Sequence, residues 1–559
     1  MDNNEAFSNT LDILIANTNM LVEGNQNVIL NGNPTKTFFT SVYKKYTNFA
    51  IQKFRLDYNG LRELKPTQES FFTFTIKRYA DLLADIYLCV TLPNIYSPVY
   101  PFSCNGENGV WVPYEFQWIK NIGFMMIKEV EIYCGGTTIQ KFSGDYLNAM
   151  RYRDMGNYDV ILNEMIGNIP EINDPENSGG RKNAYPSATY NAGITQEPSI
   201  RSKKIYIPLN LWFCLNKQQT IPLCALQYNE IEVKITLRPI RELYTIRDVL
   251  DSENSYPRIA PKLNTPEHAF YRFLQEPIDP DINIYANTTT SWNQDIHLLA
   301  NYVFLTDIEK TIFTGYPQSY LIKEIHEYSF TNITSTSKQK VETTGLVSDW
   351  TLLFKRSDIS LRNEWSNYTN WTYDYLPSDV TLADDTNIVC NGLYGYHINQ
   401  DDSRTGIYTS GNYAFENEKN ILVSLGILFD GEYREHVFHE GVFRLTEPYI
   451  KSPPSNLSCI NDIYCYNFCL DTSPFSLQPN GGVNLTKYYD IELELTTLTP
   501  PVDSDATFDT ICDPNTNEII GVKKPSWKFY DYTYSLLLLE HRYNILEISN
   551  GNLTLMYAR

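Results

Sequence analysis

Residues 205–239 read IYIPLNLWFCLNKQQTIPLCALQYNEIEVKITLRP. In the last third, Ile231, Val233, Ile235 and Leu237 alternate with Glu232, Lys234, Thr236 and Arg238. A period of two puts the four apolar side chains on one face of a strand and the four polar ones on the other, the pattern of a half-buried β-strand. Two Pro-led apolar groups precede it. Pro208-Leu209 leads into Trp212-Phe213, and Pro222-Leu223 leads into Ala225-Leu226-Gln227-Tyr228.

The same period recurs on both sides of this stretch. Phe72, Phe74 and Ile76 alternate with Thr73, Thr75 and Lys77, and Ile491, Leu493 and Leu495 alternate with Glu492, Glu494 and Thr496. Ile86–Leu92 is a continuous apolar run closed by Pro93, as expected of a strand buried on both faces. Ile119–Tyr133 is a further apolar segment. Gly135-Gly136 then marks a hairpin turn before Thr137-Thr138-Ile139. Leu298–Leu305 reads as a strand, and the apolar run Tyr534–Leu539 with the tail Tyr543–Tyr557 closes the chain. Helices are few. One is expected over Tyr158–Ile166, capped by Asn157, with Ile161, Leu162, Met165 and Ile166 as its apolar stripe and Gly167 as its stop. Thr306-x-x-Glu309 is a capping-box pattern that starts a second. A third, amphipathic one is expected in a 1–30 N-terminal arm from Leu11, Leu14, Ile15, Leu21 and Val22. It is too short to be stable alone and must dock on its own subunit or on a neighbouring layer. Residues 168–200, 241–295 and 355–420 read as long irregular insertions. Strands dominate, so the fold class is all-β, a sandwich or barrel. No internal repeat is visible.

Composition narrows the function. The chain has 559 residues, enough for two to four domains, with 42% hydrophobic and 20% charged residues. Forty-two are Tyr, a strand former suited to half-exposed contact surfaces. Forty-five basic against 66 acidic residues give a net charge of −21, which repels phosphate and lacks the basic footprint of a nucleic-acid binder. The ten Cys are too sparse for a disulfide scaffold. Cys89, Cys134, Cys214 and Cys224 read as small buried hydrophobes in a reducing compartment. Cys459, Cys465 and Cys469 cluster, with the last two expected on one strand face, but their spacing does not fit a zinc knuckle. The N-terminus has no basic n-region of a signal peptide, and Leu536–Leu539 is far too short to span a bilayer. Seven N-x-S/T sequons, at Asn287, Asn332, Asn367, Asn370, Asn456, Asn484 and Asn552, carry little weight in an Asn- and Thr-rich chain without a secretory signal.

No catalytic, cofactor-binding or metal-binding residues are expected. His436 and His439 stand three apart without a third ligand. Asp279-Pro-Asp281-Ile-Asn283 starts like a calcium loop but has Ile284 where Gly is needed and Thr290 where Glu is needed. No Walker A, G-x-S-x-G or Rossmann fingerprint occurs in the sequence.

Six blocks, in order, resemble the major capsid proteins of the nucleocytoplasmic large DNA viruses. They are Asn33–Ala50 (NPTKTFFTSVYKKYTNFA), Trp118–Ile139 (WIKNIGFMMIKEVEIYCGGTTI), the opening stretch, Leu298–Lys310 (LLANYVFLTDIEK), Tyr466–Leu470 with Leu477–Thr486, and the tail YNILEISNGNLTLMY. The resemblance implies two consecutive eight-stranded jelly rolls (a double jelly roll) with long loop insertions and a few short helices. The first would span 31–312 and the second 313–559. It further implies no enzymatic activity, a homotrimer forming a pseudo-hexagonal capsomer that tiles an icosahedral capsid, and residence in the virion after synthesis in the host cytoplasm. The implied partners are neighbouring capsomers, minor capsid and penton proteins, and an inner membrane-associated layer reached by the arm, with no direct nucleic-acid contact. Two departures mark a divergent branch: Lys45-Tyr46 where the family usually has Arg-His, and Ile548-Ser549-Asn550 where it usually has Met-Ser-Gly. The alternatives are a related double jelly-roll scaffold or minor capsid protein, and a glycan-binding β-sandwich.

Overall fold

The computed structural model describes residues 33–557 apart from short stretches, the longest being 248–257, 371–379, 410–418, 452–461, 500–508 and 524–531. The arm helix, the Asn157 cap, Cys459 and the Asp279–Asn283 motif lie outside the described residues. The chain divides into residues 1–48 and residues 49–559. In the described part of the first unit, Phe38, Phe39, Tyr43 and Tyr46 are exposed.

Eight strands frame the first half of the larger unit: β1 (Phe49–Asp57), β2 (Ser70–Thr75), β3 (Leu82–Leu92), β4 (Ile127–Cys134), β5 (Thr137–Phe142), β6 (Lys203–Pro208), β7 (Ile231–Leu237) and β8 (His297–Leu305). They pair antiparallel in two sheets, β1-β8-β3-β6 and β2-β7-β4-β5, with Ile221–Pro222 also on β3. Eight more frame the second half: β9 (Gln318–Ile333), β10 (Thr336–Lys340), β11 (Leu346–Arg356), β12 (Leu422–Phe429), β13 (Glu432–His439), β14 (Ile463–Asn467), β15 (Ile491–Thr497) and β16 (Tyr534–Ser549). Their sheets are β9-β16-β11-β14 and β10-β15-β12-β13. Adding eight to each label of the first pair of sheets produces the second pair, so one topology occurs twice. The sequence hides this duplication because a sandwich constrains the alternation of each strand and not the identity of its residues.

The physics of the opening stretch is simple. In β7, Ile231, Val233, Ile235 and Leu237 are all buried and the intervening residues are half exposed. Its neighbours obey the same rule: Val233 lies opposite Phe74 of β2 and Ile132 of β4, and all three side chains enter the first core. The Pro-led group before it forms α-helix Trp212–Leu215, with Trp212 and Phe213 buried. Gly135 and Gly136 adopt φ values of 57° and 85°, the left-handed pair that a two-residue hairpin between β4 and β5 requires.

The three longest α-helices among the described residues are α1 (Gly144–Asp154), α2 (Asp159–Ile166) and, after β8, α3 (Asp307–Gly315). A Cβ on Gly144 would stand 2.1 Å from the Phe124 carbonyl oxygen and 2.5 Å from that of Ile127. Only glycine therefore lets α1 start this close to the backbone before β4. The expected stripe of α2 needs correction. Leu162 and Ile166 are buried, but Ile161 is 67% exposed, because a two-turn helix held by an i, i+4 pair turns the adjacent residue outward. In α3 the expected Thr306 capping bond is absent. A Lys310–Asp81 pair at 2.7 Å and the packing of Phe313 on the Leu82, Ala84 and Val303 cluster hold the helix.

The irregular insertions are more ordered than their sequence suggests. Residues 168–200 bury Ile172, Ala188 and Ile200, and the Tyr185 hydroxyl donates to the Phe116 carbonyl at 2.7 Å. Within 241–295, Tyr244–Arg247 pairs with Phe116–Trp118. Within 355–420, Val380–Leu382, Ile388–Cys390, Tyr394–Ile398 and Arg404–Thr409 form a four-stranded sheet. Strands of three to six residues are too short for alternation to declare them.

Candidate functional site

The sheet β9-β16-β11-β14 is covered on both faces. On β16, Leu536 and Leu538 enter the second core, while Leu539 joins the first core together with Ile322, Leu353 and Ile463. This double burial is why Leu536–Leu539 is a continuous apolar run rather than an alternating one. The first core therefore draws side chains from both halves, and a charged cluster sits inside the seam between them.

Arg153, at the last turn of α1, is the centre of that cluster. Its guanidinium donates to Asp349 Oδ1 at 2.6 Å and Thr351 Oγ1 at 2.9 Å on β11, and to its neighbour Asp154 at 2.9–3.1 Å. Asp349 also meets His541 Nδ1 of β16 at 2.7 Å and accepts from the Ser348 hydroxyl at 2.6 Å. Arg153, Asp154, Asp349 and His541 are all at most 5% exposed. Burial alone would push the Asp349 carboxyl up; the charges of His541 and Arg153 outweigh it and hold the group well below the carboxylate range. A second tie joins the start of α1 to the other half: Lys355 Nζ and the Tyr368 hydroxyl both donate to Asp145 Oδ1, at 2.6 and 2.9 Å. Such a buried, fully partnered network adds little net energy over an apolar seam, but it specifies one docking geometry.

The outer face of the first sandwich is different. Ile51 lies opposite Val303 and Phe49 opposite Leu305, next to the cluster on which Phe313 packs. Phe49, Ile51, Ile308 and Ile312 are 52%, 62%, 77% and 54% exposed. Among the described strands β1 is at the edge of its sheet, so this face combines a sheet edge with exposed apolar side chains, the signature of a contact surface.

Asp462, immediately before β14, is buried with neither carboxylate oxygen hydrogen-bonded among the described residues. Burial pushes its carboxyl up to about 7; Lys419 and Arg444 oppose the shift and Glu440 adds to it. The folded state thus holds a proton that the unfolded chain releases above its ordinary value of 3.8. Stability falls as pH rises from about 4 to about 7 and is flat above. Asp462→Asn is therefore expected to be more stable than the parent by about 2–4 kcal/mol at pH 8, with the gap closing towards pH 4. Urea unfolding curves across this range test it, and parallel pH profiles for the two proteins would refute it.

The other residues singled out from sequence do not assemble a site. Cys89 and Cys134 are buried as expected, but Cys214 and Cys224 are half-buried, and Cys469 lies past the end of β14 rather than sharing a strand face with Cys465. His436 and His439 both lie on β13, whose pairing with β12 shifts register between Glu435 and Phe438. Among the described residues no group of three His, Cys, Asp or Glu is arranged to hold a metal. Asn367 and Asn370 are buried, so these two sequons are closed to modification in the folded chain.

Two four-plus-four-stranded sandwiches of the same strand order, joined through a polar seam, define the class: a double jelly-roll protein. Residues 37–306 match the family model described as major capsid protein N-terminus. The chain is 30% identical over 227 residues to probable capsid protein 4 of Acanthamoeba polyphaga mimivirus, covering 41% of this chain and 38% of that one. It is 23% identical over 550 residues to the major capsid protein of Paramecium bursaria Chlorella virus 1, covering 96% and 98%. The solved Faustovirus major capsid protein superposes with a TM-score of 0.59 at 12% identity, over 94% of this chain and 95% of that one. The chain spans about half or less of the length of the first three curated relatives it matches (38%, 42% and 53%). Over residues 37–306 it carries the N-terminal part of a major capsid protein, and along nearly its whole length it is similar to a major capsid protein of a large DNA virus. Its relatives are structural proteins and not enzymes.

Proposed function

We propose that the chain is a structural subunit of an icosahedral viral shell, working as a homotrimer whose six jelly rolls form a pseudo-hexagonal capsomer. The first jelly roll spans 31–312 and the second 313–559, with 1–30 as an arm that reaches an inner, membrane-associated layer. Neighbouring capsomers and minor and penton proteins complete the contacts, and the protein resides in the virion after synthesis in the host cytoplasm. The observation that carries this reading is the doubled strand order with its buried seam. One chain becomes a stiff two-lobed block, and three such blocks supply six similar lobes. The exposed apolar face around Ile51 and Ile308 is the natural subunit contact, since a patch of this kind is rarely left in water. Electron microscopy of the purified protein tests the proposal: hexagonal outlines with a threefold axis are expected, and monomers alone would overturn it.

With −21 on each chain, like-charged subunits repel over roughly 10 Å at 0.1 M salt and much less at higher salt. Assembly into larger sheets or shells is expected to strengthen with ionic strength or divalent cations. Light scattering against salt concentration reads this, and a yield that falls steeply as salt rises would contradict it.

A further inference from the structure

A cavity of about 350 Å³ opens at the end of the first sandwich, where β3 and the turn after it meet segments 271–275 and 287–293. Its volume is that of a small-molecule site. Among the described residues its lining contains Tyr96, Tyr271 and Trp292, several amide and hydroxyl side chains, and no charged residue. The nearby Glu276 is exposed and does not line it. Such a lining has no group for an anion or a cation to pair with.

The polar groups are held in place before any ligand arrives. The Gln275 amide donates through Nε2 to the carbonyls of Tyr271 and Asn287 at 2.9 and 2.8 Å. Both of its N–H bonds are thereby used, which fixes the amide and leaves Oε1 as an acceptor. Asn94 is held the opposite way: its Oδ1 accepts from the Ser202 N–H at 2.7 Å, leaving its NH2 as a donor. The Trp292 indole N–H donates to the Thr91 carbonyl at 2.7 Å, which sets the plane of the ring. A fixed acceptor, a fixed donor and flat aromatic walls match one chemistry: hydroxyls that both donate and accept, carried on a ring with apolar C–H faces.

We infer that this cavity is a binding site for a neutral saccharide, formed by Trp292, Tyr271, Gln275 and Asn94 within a single chain. The inference is independent of the assembly reading, because every named residue belongs to one half of one subunit.

The test uses the full chain made in bacteria, so that Asn287, which borders the cavity and begins a sequon, carries no glycan. Saturation-transfer NMR and tryptophan fluorescence are recorded against neutral gluco-, manno- and galacto-oligosaccharides and against sialylated and sulfated ones. Neutral sugars are expected to bind, and Asn94→Ala and Gln275→Ala each to weaken them about tenfold or more, with melting temperature and capsomer formation unchanged. Tyr489→Ala, on an exposed residue outside the cavity lining, should bind like the parent. Three outcomes overturn the inference: no neutral sugar binds the folded parent, binding survives both variants, or the anionic glycans bind preferentially. None of these bears on whether the chain forms trimers, which microscopy reads separately.

Discussion

Arg153→Met should lose about 3–5 kcal/mol of stability, the cost of leaving a buried carboxylate without its partner. The substitution keeps most of the side-chain volume, so cavity formation is a minor term and the electrostatic one dominates. Asp349 would keep only His541 and Ser348, and Asp154 would lose its bidentate cation. Both carboxylates are shielded from water, which therefore cannot replace the lost hydrogen bonds. Chemical denaturation of the purified variant measures the loss, and a value below about 1 kcal/mol would mean the seam does not hold the halves together. The double variant Arg153→Met, Asp349→Asn should recover part of it, because the uncompensated charge is gone. The pH dependence has a definite sign. A carboxyl held below its ordinary range stabilises the fold above that range, and the contribution is lost as pH falls through the folded value. The parent should therefore lose its advantage over Asp349→Asn in acid, and acid titration of the two proteins compares them.

Val233→Asp should be at least as damaging, at about 4 kcal/mol or more, and is expected to remove folded protein altogether. Val233 is fully buried at the centre of the β2-β7-β4-β5 sheet, opposite Phe74 and Ile132. Described residues around it are apolar on both neighbouring strands, so a carboxylate there has neither water nor a cation. Sliding the strand by one residue would expose the charge but bury Glu232, Lys234 and Thr236 instead, so register slip offers no escape. Expression and size-exclusion chromatography read the outcome. Wild-type amounts of soluble folded protein from this variant would show that this face of β7 does not point inward. Glu232→Ala, on the half-exposed face, is the matched control and should be close to neutral.

The strands that sequence declared are those with one wet face. β2, β7 and β15 alternate in sequence and alternate in burial, because a half-buried sheet imposes its period directly on residue choice. The hairpin at Gly135-Gly136 and the strand Leu298–Leu305 were legible for equally local reasons. The family resemblance rested on six such blocks, and the fold it implied agrees with the strand order found. Where the local rule gave way, tertiary packing had displaced it. Ile161 belongs to the helical stripe by spacing but faces solvent, since only Leu162 and Ile166 have something to pack on. The short strands within 380–409 carry too few residues for a period to emerge.

The candidate site lay beyond sequence altogether. Arg153 and Asp349 are 196 residues apart, and neither stands in a motif. Each reads as one more charge in a chain that has many. Only folding places the end of α1 against β11 and β16 and makes the pair buried and therefore costly to break. The same holds for Asp462, whose carboxyl is unusual through its surroundings and not its neighbours in the chain, and for the Asn94 and Gln275 amides, which line a cavity built from four separate segments. Residues 205–239 thus determined by themselves that a strand forms and which of its faces is apolar, because alternation is a one-dimensional property. What that face packs against, and that the whole arrangement occurs twice around a charged seam, was decided by long-range contacts that no local period can encode.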